Sequence, residues 1–270
     1  MAHPQIAAFA RLADKNAKPI RKIEGQKTLL GRTMHGLTYD EIHDEFTVPQ
    51  QFSQSILTFR GGADGEEAPI RIIGGSKTRL VAPDRVAVDA VNNEIYAPEG
   101  DVILVYNRMD NGNVAPKRTI EGPNAGKQLD AIAIDPVNNL VIVGAGGGGG
   151  SRESETRFLV FERTASGDAK PLLNVKGPRS LGGPFTIYPQ KKLIFATNRP
   201  FNDALASDVS YLGVWSYEKN SEAPPLYTIG GPKGVFEMPR GVVLDVKNKS
   251  IIASDKRHNS VLTFRVPELF

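Results

Sequence analysis

The chain has 270 residues and no cysteine. Disulfide bonds, thiolate metal sites and cysteine nucleophiles are therefore excluded. No apolar run approaches the roughly 18 residues that a membrane-spanning helix needs, and the first residues lack the long apolar stretch of a signal peptide. We expect a soluble protein with no membrane partner, and an exported form whose leader has been removed stays open.

Signatures of several catalytic and nucleic-acid-binding proteins are missing as well. No G-x-S-x-G elbow occurs, so the sequence does not support a Ser-His-Asp hydrolase. The glycine-rich run at 144–150 lacks the Gly-Lys-Ser/Thr of a phosphate-binding loop. The net charge of +3 is small for this length and does not indicate a nucleic-acid partner.

One pattern recurs five times along the chain. An apolar strand ends in aspartate or proline, a polar turn follows, and a second apolar strand comes next. The five copies are HGLTYDEIHDEFTVPQ, RVAVDAVNNEIYAPE, AIAIDPVNNLVIVGAG, FTIYPQKKLIFATN and GVVLDVKNKSIIASD. A third strand follows every copy, and a fourth strand follows the first four, as in APIRIIGG. No amphipathic helix interrupts the repeats.

Four short antiparallel strands in each repeat are typical of a β-propeller blade. The sequence therefore predicts one all-β propeller domain over residues 1–270 with five blades, and six blades are the alternative. The ring would close when the N-terminal strand KPIRKIEG joins the C-terminal blade. Both ends carry a third strand, so the additional one is either an extra edge strand or part of an incomplete sixth blade.

The aspartate of the repeat has a structural interpretation. Its side chain can accept a hydrogen bond from a backbone N–H two residues further on, which is an Asx-turn. We expect this role for Asp40, Asp89, Asp135 and Asp245, with Pro189 at the same position in the fourth repeat. Asn92, Asn93, Asn138 and Asn139 are turn residues by the same reasoning. Trp215 lies within a strand, and we expect it to pack between sheets.

The order GVVLD, turn, SIIASD, turn, SVLTF resembles that of NHL-repeat propellers and, more loosely, that of the senescence-marker-protein and gluconolactonase group. The resemblance covers essentially the whole chain and implies the propeller fold. Such propellers include protein-binding and RNA-binding modules, lyases and metal-dependent lactonases. The fold does not decide among these functions.

A candidate site follows from the propeller geometry. The first strand of each blade lines the channel, so residues five positions before the repeat aspartate and residues at the ends of second strands reach one mouth. Seven side chains would meet there: His35, Asp84, Glu99, Asp130, Asn198, Arg240 and Asp255. Converging carboxylates suit Ca²⁺ or another divalent cation, and Arg240 suits an anionic group. Alternatively, Arg240 pairs with Asp84 or Asp130 and the other side chains are solvated.

Two functions remain open. The first is a binding or scaffold module for a protein, peptide or small polar ligand, which we expect to act as a monomer. The second is a metal-dependent lactonase or hydrolase, as resemblance to the gluconolactonase group implies, with Glu99, Asp130, Asn198 and Asp255 as metal ligands. In an enzyme, Asp130 or Asp255 would be the base, His35 a second candidate base and Arg240 the anion clamp.

Two further features bear on these functions. Long loops at 144–157 and 198–210 follow second strands, and long loops in compact folds often bind ligands. Basic residues recur on and after the fourth strands, where charges at an exposed rim would discourage aggregation. These are Arg71, Lys117, Arg118, Lys176, Arg179, Lys191 and Lys192. The predicted mouth is too acidic for RNA, so nucleic acid is a disfavoured partner.

Overall fold

The computed structural model describes residues 4–146, 156–181, 183–198 and 209–270. It contains strands and three short 3-10 turns in these ranges, at Gln26–Thr28, Pro189–Lys191 and Pro267–Leu269. Within the same ranges no helix is long and apolar enough to cross a membrane.

The strands follow the predicted repeats closely. They are β1 (Gln5–Ala8), β2 (Arg21–Glu24), β3 (Thr38–Asp40), β4 (Glu45–Gln50), β5 (Ser55–Arg60), β6 (Arg71–Gly74), β7 (Ala87–Asp89), β8 (Glu94–Glu99), β9 (Val102–Asn107), β10 (Arg118–Glu121), β11 (Leu129–Asp135), β12 (Leu140–Ala145), β13 (Arg157–Glu162), β14 (Leu173–Lys176), β15 (Thr186–Tyr188), β16 (Leu193–Asn198), β17 (Tyr211–Ser216), β18 (Tyr227–Gly230), β19 (Pro239–Asp245), β20 (Ser250–Asp255) and β21 (Ser260–Arg265).

Each repeat forms its own sheet with strands in chain order. β3–β6, β7–β10, β11–β14 and β15–β18 make four-stranded sheets, β19–β21 make a three-stranded sheet, and β1 pairs with β2. The prediction of an all-β propeller with five blades, each beginning with a repeat hairpin, is confirmed.

The N-terminal strands form a two-stranded sheet that resembles the outer two strands of a blade. β2 pairs with β1 as a fourth strand pairs with a third strand, and Ile23 of β2 makes a parallel bridge to Gly65. The fourth strand β6 makes the same kind of bridge from Ile73 to Gly112. Closure of the ring by the N-terminal strands stays a prediction.

The chain divides into two compact units. Unit 1 comprises Met1–Glu99 and Leu104–Arg118, and unit 2 comprises Gly100–Ile103 and Thr119–Phe270. In unit 1 the rings of Phe46 and Phe59 stack with their centroids 5.1 Å apart. In unit 2 Phe158 packs edge-on against Phe185 and Trp215, and Trp215 is buried as expected.

The repeat aspartates hold the hairpin turns, as predicted, but mainly through the residue three positions further on. In three repeats the residue three positions further on is an asparagine, and the aspartate accepts hydrogen bonds from both its backbone N–H and its side-chain amide; these aspartates are Asp89, Asp135 and Asp245. Asp40 instead accepts hydrogen bonds from the backbone N–H groups two and three positions further on. The donors are Asn92, Asn138 and Asn248, and for Asp40 they are Ile42 and His43. Asn93 and Asn139 adopt left-handed backbone angles, which asparagine tolerates.

The expectation that basic residues of the fourth strands lie at an exposed rim is wrong for two arginines. Arg71 forms an ion pair with Glu45, and Arg118 with Glu94, where Nη1 lies 2.6 Å from Oε1. All four side chains are largely buried. Burying a charge is costly unless it is paired, so these pairs tie the fourth strands to the second strands.

Candidate functional site

In unit 1 the structure places His35 against Asp84. Nδ1 of His35 contacts Oδ1 of Asp84, and Nη1 of Arg85 lies 2.8 Å from Oδ2 of the same carboxylate. The side chain of Thr38 in β3 fixes this arrangement by donating to the Val86 carbonyl at 2.7 Å, just before β7. The two residues that align in successive repeats therefore form a contact pair.

The environment of Asp84 keeps it ionised. Burial alone would raise its pKa, but Arg85 and then His35 outweigh burial and lower the pKa below its ordinary value. A carboxylate on Nδ1 orients the ring and leaves Nε2 of His35 for another group. Nε2 makes no hydrogen bond within the described residues, and the His35 side chain is 48% exposed.

Glu99 lies in the same unit, and its pKa is shifted in the opposite direction to that of Asp84. Its Oε2 accepts a bond from the Ala82 N–H at 3.1 Å, whereas Oε1 is buried and has no partner in the described part of the chain. Burial raises the pKa of Glu99 despite the bonds from Ala82 and Val81, and the negative charge of Asp84 raises it further. Glu99 is therefore easier to protonate than an ordinary glutamate, and in that form it can donate a hydrogen bond.

In unit 2 Asp130 and Arg240 each lie in a β-bulge of the first strand of a sheet. The register of β11 with β12 shifts between Leu129 and Ile132, and that of β19 with β20 shifts between Pro239 and Val242. Such bulges redirect a side chain and are common beside active sites. Both residues are half-buried and interact with other groups.

The backbone at Arg240 is held tightly. The Thr197 hydroxyl donates to the Arg240 carbonyl at 2.9 Å. A Cβ atom on Gly183 would lie 2.6 Å from the same carbonyl oxygen, so only glycine fits at that position.

The side chains of Asn198 and Asp255 form hydrogen bonds with backbone groups. Oδ1 of Asn198 accepts the Ser180 N–H at 3.1 Å, and its Nδ2 donates to the Val209 carbonyl at 2.9 Å. The oxygens of Asp255 accept four backbone N–H groups, those of Glu237, Met238, Arg257 and His258. Burial alone would raise the pKa of Asp255, but these bonds outweigh it and lower the pKa.

This arrangement does not fit the metal set that resemblance to the gluconolactonase group implies. The oxygens of Asn198 and Asp255 already accept hydrogen bonds from backbone N–H groups of the protein. Within the described ranges, no three histidine or acidic side chains group as metal ligands. The divalent cation stays a prediction.

Sequence reasoning missed two features of unit 1. Arg85 was missed because the repeat alignment selects one position per blade, although a cation directly after Asp84 was visible. The second feature is a cavity of about 330 Å³ beside β1 and β2, lined mainly by apolar side chains and by Arg21 and Lys22. The predicted binding loops fall largely on residues 147–155 and 199–208, which lie outside the described residues.

Comparisons with known proteins extend only to the fold. No family model and no curated protein matches the chain. A chain of the solved "Mitotic Checkpoint Complex" is similar, with a TM-score of 0.52, 14% identity, and coverage of 85% of this chain and 63% of that chain. A chain of the "Nidogen/Laminin Complex" has a TM-score of 0.57 and 14% identity over 99% of this chain and 92% of that one. These likenesses and the strand order identify the class of protein as a β-propeller, whereas membership in the NHL or gluconolactonase groups stays a prediction.

Proposed function

We propose that the chain is an NHL-like β-propeller that serves as a binding module for a protein partner or a small polar ligand. The observation that carries the proposal is the cluster of His35, Asp84, Arg85 and Glu99 in unit 1, which we name the His35 cluster. It offers an exposed imidazole that the ionised Asp84 carboxylate orients, and a second carboxylate, Glu99, whose pKa burial and the charge of Asp84 raise. Hydrogen-bonding groups held in a fixed orientation are what recognition of a polar partner requires.

Two other facts support a binding role. Both similar structures are named as complexes of proteins, although at 14% identity the likeness shows the fold alone. In addition, Oε1 of Glu99 is a buried polar atom without a partner in the described ranges, which is costly in a folded protein. A bound molecule or an ordered water that reaches this oxygen would satisfy it.

The test compares the partners captured by variants of the His35 cluster. We expect His35→Ala and Asp84→Asn to lose at least tenfold in the capture of the specific partner, because a hydrogen bond to a charged group is worth about 1.5–3 kcal/mol. His258→Ala is the matched control, since His258 is another exposed histidine near a carboxylate, Glu237. Quantitative mass spectrometry of proteins retained on each immobilised variant provides the measurement. Identical retention by the wild type and the His35→Ala variant would contradict the proposal.

The second candidate function is a hydrolase of the gluconolactonase type. The observation that favours it is the position of Asp130 and Arg240 in β-bulges of two first strands. Asp130 would supply the base and Arg240 would hold an anionic group, while the metal ligands would have to differ at Asn198 and Asp255.

The hydrolase hypothesis predicts that the purified protein contains a bound divalent cation. We expect about one equivalent of a divalent cation in the purified protein, a lower melting temperature with chelator, and lactone turnover that Asp130→Asn abolishes without unfolding the chain. Asp14→Asn, at an exposed site near the N-terminus, is the control. Metal-free protein with an unchanged melting temperature in chelator would exclude the metal-dependent enzyme.

A further inference from the structure

The last residue of the second strand has the same structural role in four blades of the part of the chain that the structure describes. Its side chain accepts a hydrogen bond from a backbone N–H in the loop before the first strand of the same blade. The pairs are Gln50 with Gly31, Glu99 with Ala82, Asn198 with Ser180, and Asp255 with Glu237 and Met238. This bond needs one oxygen of each side chain and leaves its second polar atom for another role.

In unit 2 the protein itself binds this second atom. Nδ2 of Asn198 donates to a backbone carbonyl at 2.9 Å, and Oδ1 of Asp255 accepts further backbone N–H groups. In unit 1 the second atoms are Nε2 of Gln50 and Oε1 of Glu99. Both atoms are buried and have no hydrogen-bond partner among the described residues, and the Gln50 residue is only 1% exposed.

The two unpartnered atoms have complementary chemistry. The N–H of Gly31 donates to Gln50, which identifies the bonded atom as Oε1 and the remaining atom as the donor Nε2. Oε1 of Glu99 is an acceptor when the carboxylate is ionised. Buried polar atoms without a partner are rare and costly. Two of them at equivalent positions of successive blades therefore indicate a ligand that both atoms bind.

Both atoms belong to residues beside the His35 cluster or within it. Extending the register of β3 with β4 by three residues beyond the end of β3 sets His35 opposite Gln50. The register of β7 with β8, extended in the same way, sets Asp84 opposite Glu99, and the charge of Asp84 acts on Glu99. His35 contacts Asp84 directly. The four residues therefore follow one another across two successive blades.

We propose that the His35 cluster, together with Gln50, binds a primary carboxamide group of its ligand. The amide carbonyl accepts the hydrogen bond from Nε2 of Gln50, and the two amide N–H bonds are donated to Oε1 of Glu99 and Nε2 of His35. This inference rests on the proposed binding function and names the chemical group that the site recognises.

A carboxamide fits because it is neutral and offers one carbonyl acceptor and two N–H donors. Neutral His35 donates its Nδ1–H to Asp84, so its Nε2 is an acceptor. A carboxylate ligand would be repelled by the ionised Asp84 and Glu99. An ammonium or guanidinium group has donors alone and would leave Nε2 of Gln50 without a partner. A hydroxyl group has a single donor, which serves either Glu99 or His35 but not both.

Two small probes test the chemical group. The N-methylamides of N-acetylglutamine and N-acetylglutamate differ only in the side-chain carboxamide or carboxylate. We follow the ring signals of His35 by NMR at about pH 8, well above the ordinary pKa of glutamate, and His35→Ala assigns them among the four histidines. We expect a saturable shift with the glutamine probe and at least tenfold weaker binding of the glutamate probe. Absence of a saturable shift, or equal affinities, would overturn the proposal.

A third probe distinguishes two sources of the carboxamide. Butanamide has the glutamine side chain without a peptide backbone. Tighter binding of the glutamine probe than of butanamide would assign the carboxamide to a polypeptide, and equal binding would assign it to a small ligand. Both results support recognition of the group, whereas failure of both compounds to bind would overturn it.

Exchange of donor and acceptor tests the two atoms. Gln50→Glu keeps an oxygen for the Gly31 N–H and replaces Nε2 by an acceptor, whereas Glu99→Gln keeps an oxygen for the Ala82 N–H and replaces Oε1 by a donor. Each variant should bind the glutamine probe at least tenfold more weakly. The double variant should regain binding, because an amide that is turned over meets both groups again. Failure to regain binding would overturn the assignment of the two atoms.

The control for the added charge is Gln190→Glu, at an exposed glutamine before β16, which should leave binding unchanged. The capture experiment separates this inference from the proposed function. Loss of the partner by His35→Ala but not by Gln50→Glu or Glu99→Gln would overturn the carboxamide role and leave the binding function intact. Full retention by all three variants would overturn both.

Discussion

Replacing Glu94 with alanine is expected to lower the free energy of unfolding by about 3–5 kcal/mol, because a buried cation loses its partner. Glu94 is 2% exposed and binds Arg118, Lys117 and the Tyr96 hydroxyl. Alanine would leave Arg118 largely buried without this carboxylate. Urea denaturation of both proteins measures the difference.

The matched control is Glu67→Ala. Glu67 also forms a two-bond pair with an arginine, Arg60, but this pair is much more exposed to water. Exposed pairs contribute about 1 kcal/mol or less, so we expect a small loss. Equal losses for the two variants would refute the argument from burial.

The contribution of Glu94 should also depend on pH. Burial alone would raise its pKa, but bonds from Arg118, Tyr96 and Lys117 outweigh burial and hold the pKa far below its ordinary value. Stability from a depressed pKa is present above the unfolded value of about 4.3 and is lost as the pH falls toward the folded value. Below pH 4 the difference between wild type and Glu94→Ala should therefore shrink.

Replacing Asp255 with alanine is expected to cost about 3 kcal/mol or more. Its carboxylate accepts N–H bonds from Glu237, Met238, Arg257 and His258, and a hydrogen bond to a charged group contributes about 1.5–3 kcal/mol. Asp255→Asn keeps one acceptor oxygen, so we expect an intermediate loss. Urea denaturation with and without chelator provides the measurement.

The chelator separates two roles of Asp255. A residue that only holds backbone groups gives the same losses with and without chelator. A metal ligand gives a loss that disappears when the cation is removed from the wild type. A loss below 1 kcal/mol for Asp255→Ala in both conditions would contradict both roles.

Repeats and local turn chemistry made the fold predictable. The strand pattern recurs about every fifty residues, and each repeat aspartate lies three positions from its N–H donor, so both signals lie within short segments. Alignment of successive repeats also selected His35 and Asp84, which the structure places in contact. The five-bladed propeller could therefore be predicted from residue type and spacing alone.

The hydrogen-bond partners of individual side chains could not be predicted from the sequence. Asp255 and Asn198 look like free oxygen ligands in the sequence because the backbone N–H groups that bind them belong to loops, whose conformation carries no periodic signal. The buried pairs did leave a signal that was missed. Glutamate begins the second strand and arginine lies on the fourth in both of the first two blades, as Glu45 with Arg71 and Glu94 with Arg118.

The aspartate turns have a consequence for the order in which the chain folds. Each is held by atoms only three residues apart, so closing it restricts little chain and loses little entropy. The corresponding hairpins can start independently, long before distant segments meet. A defect in one blade should consequently slow the late docking of that blade and leave the early hairpins elsewhere intact.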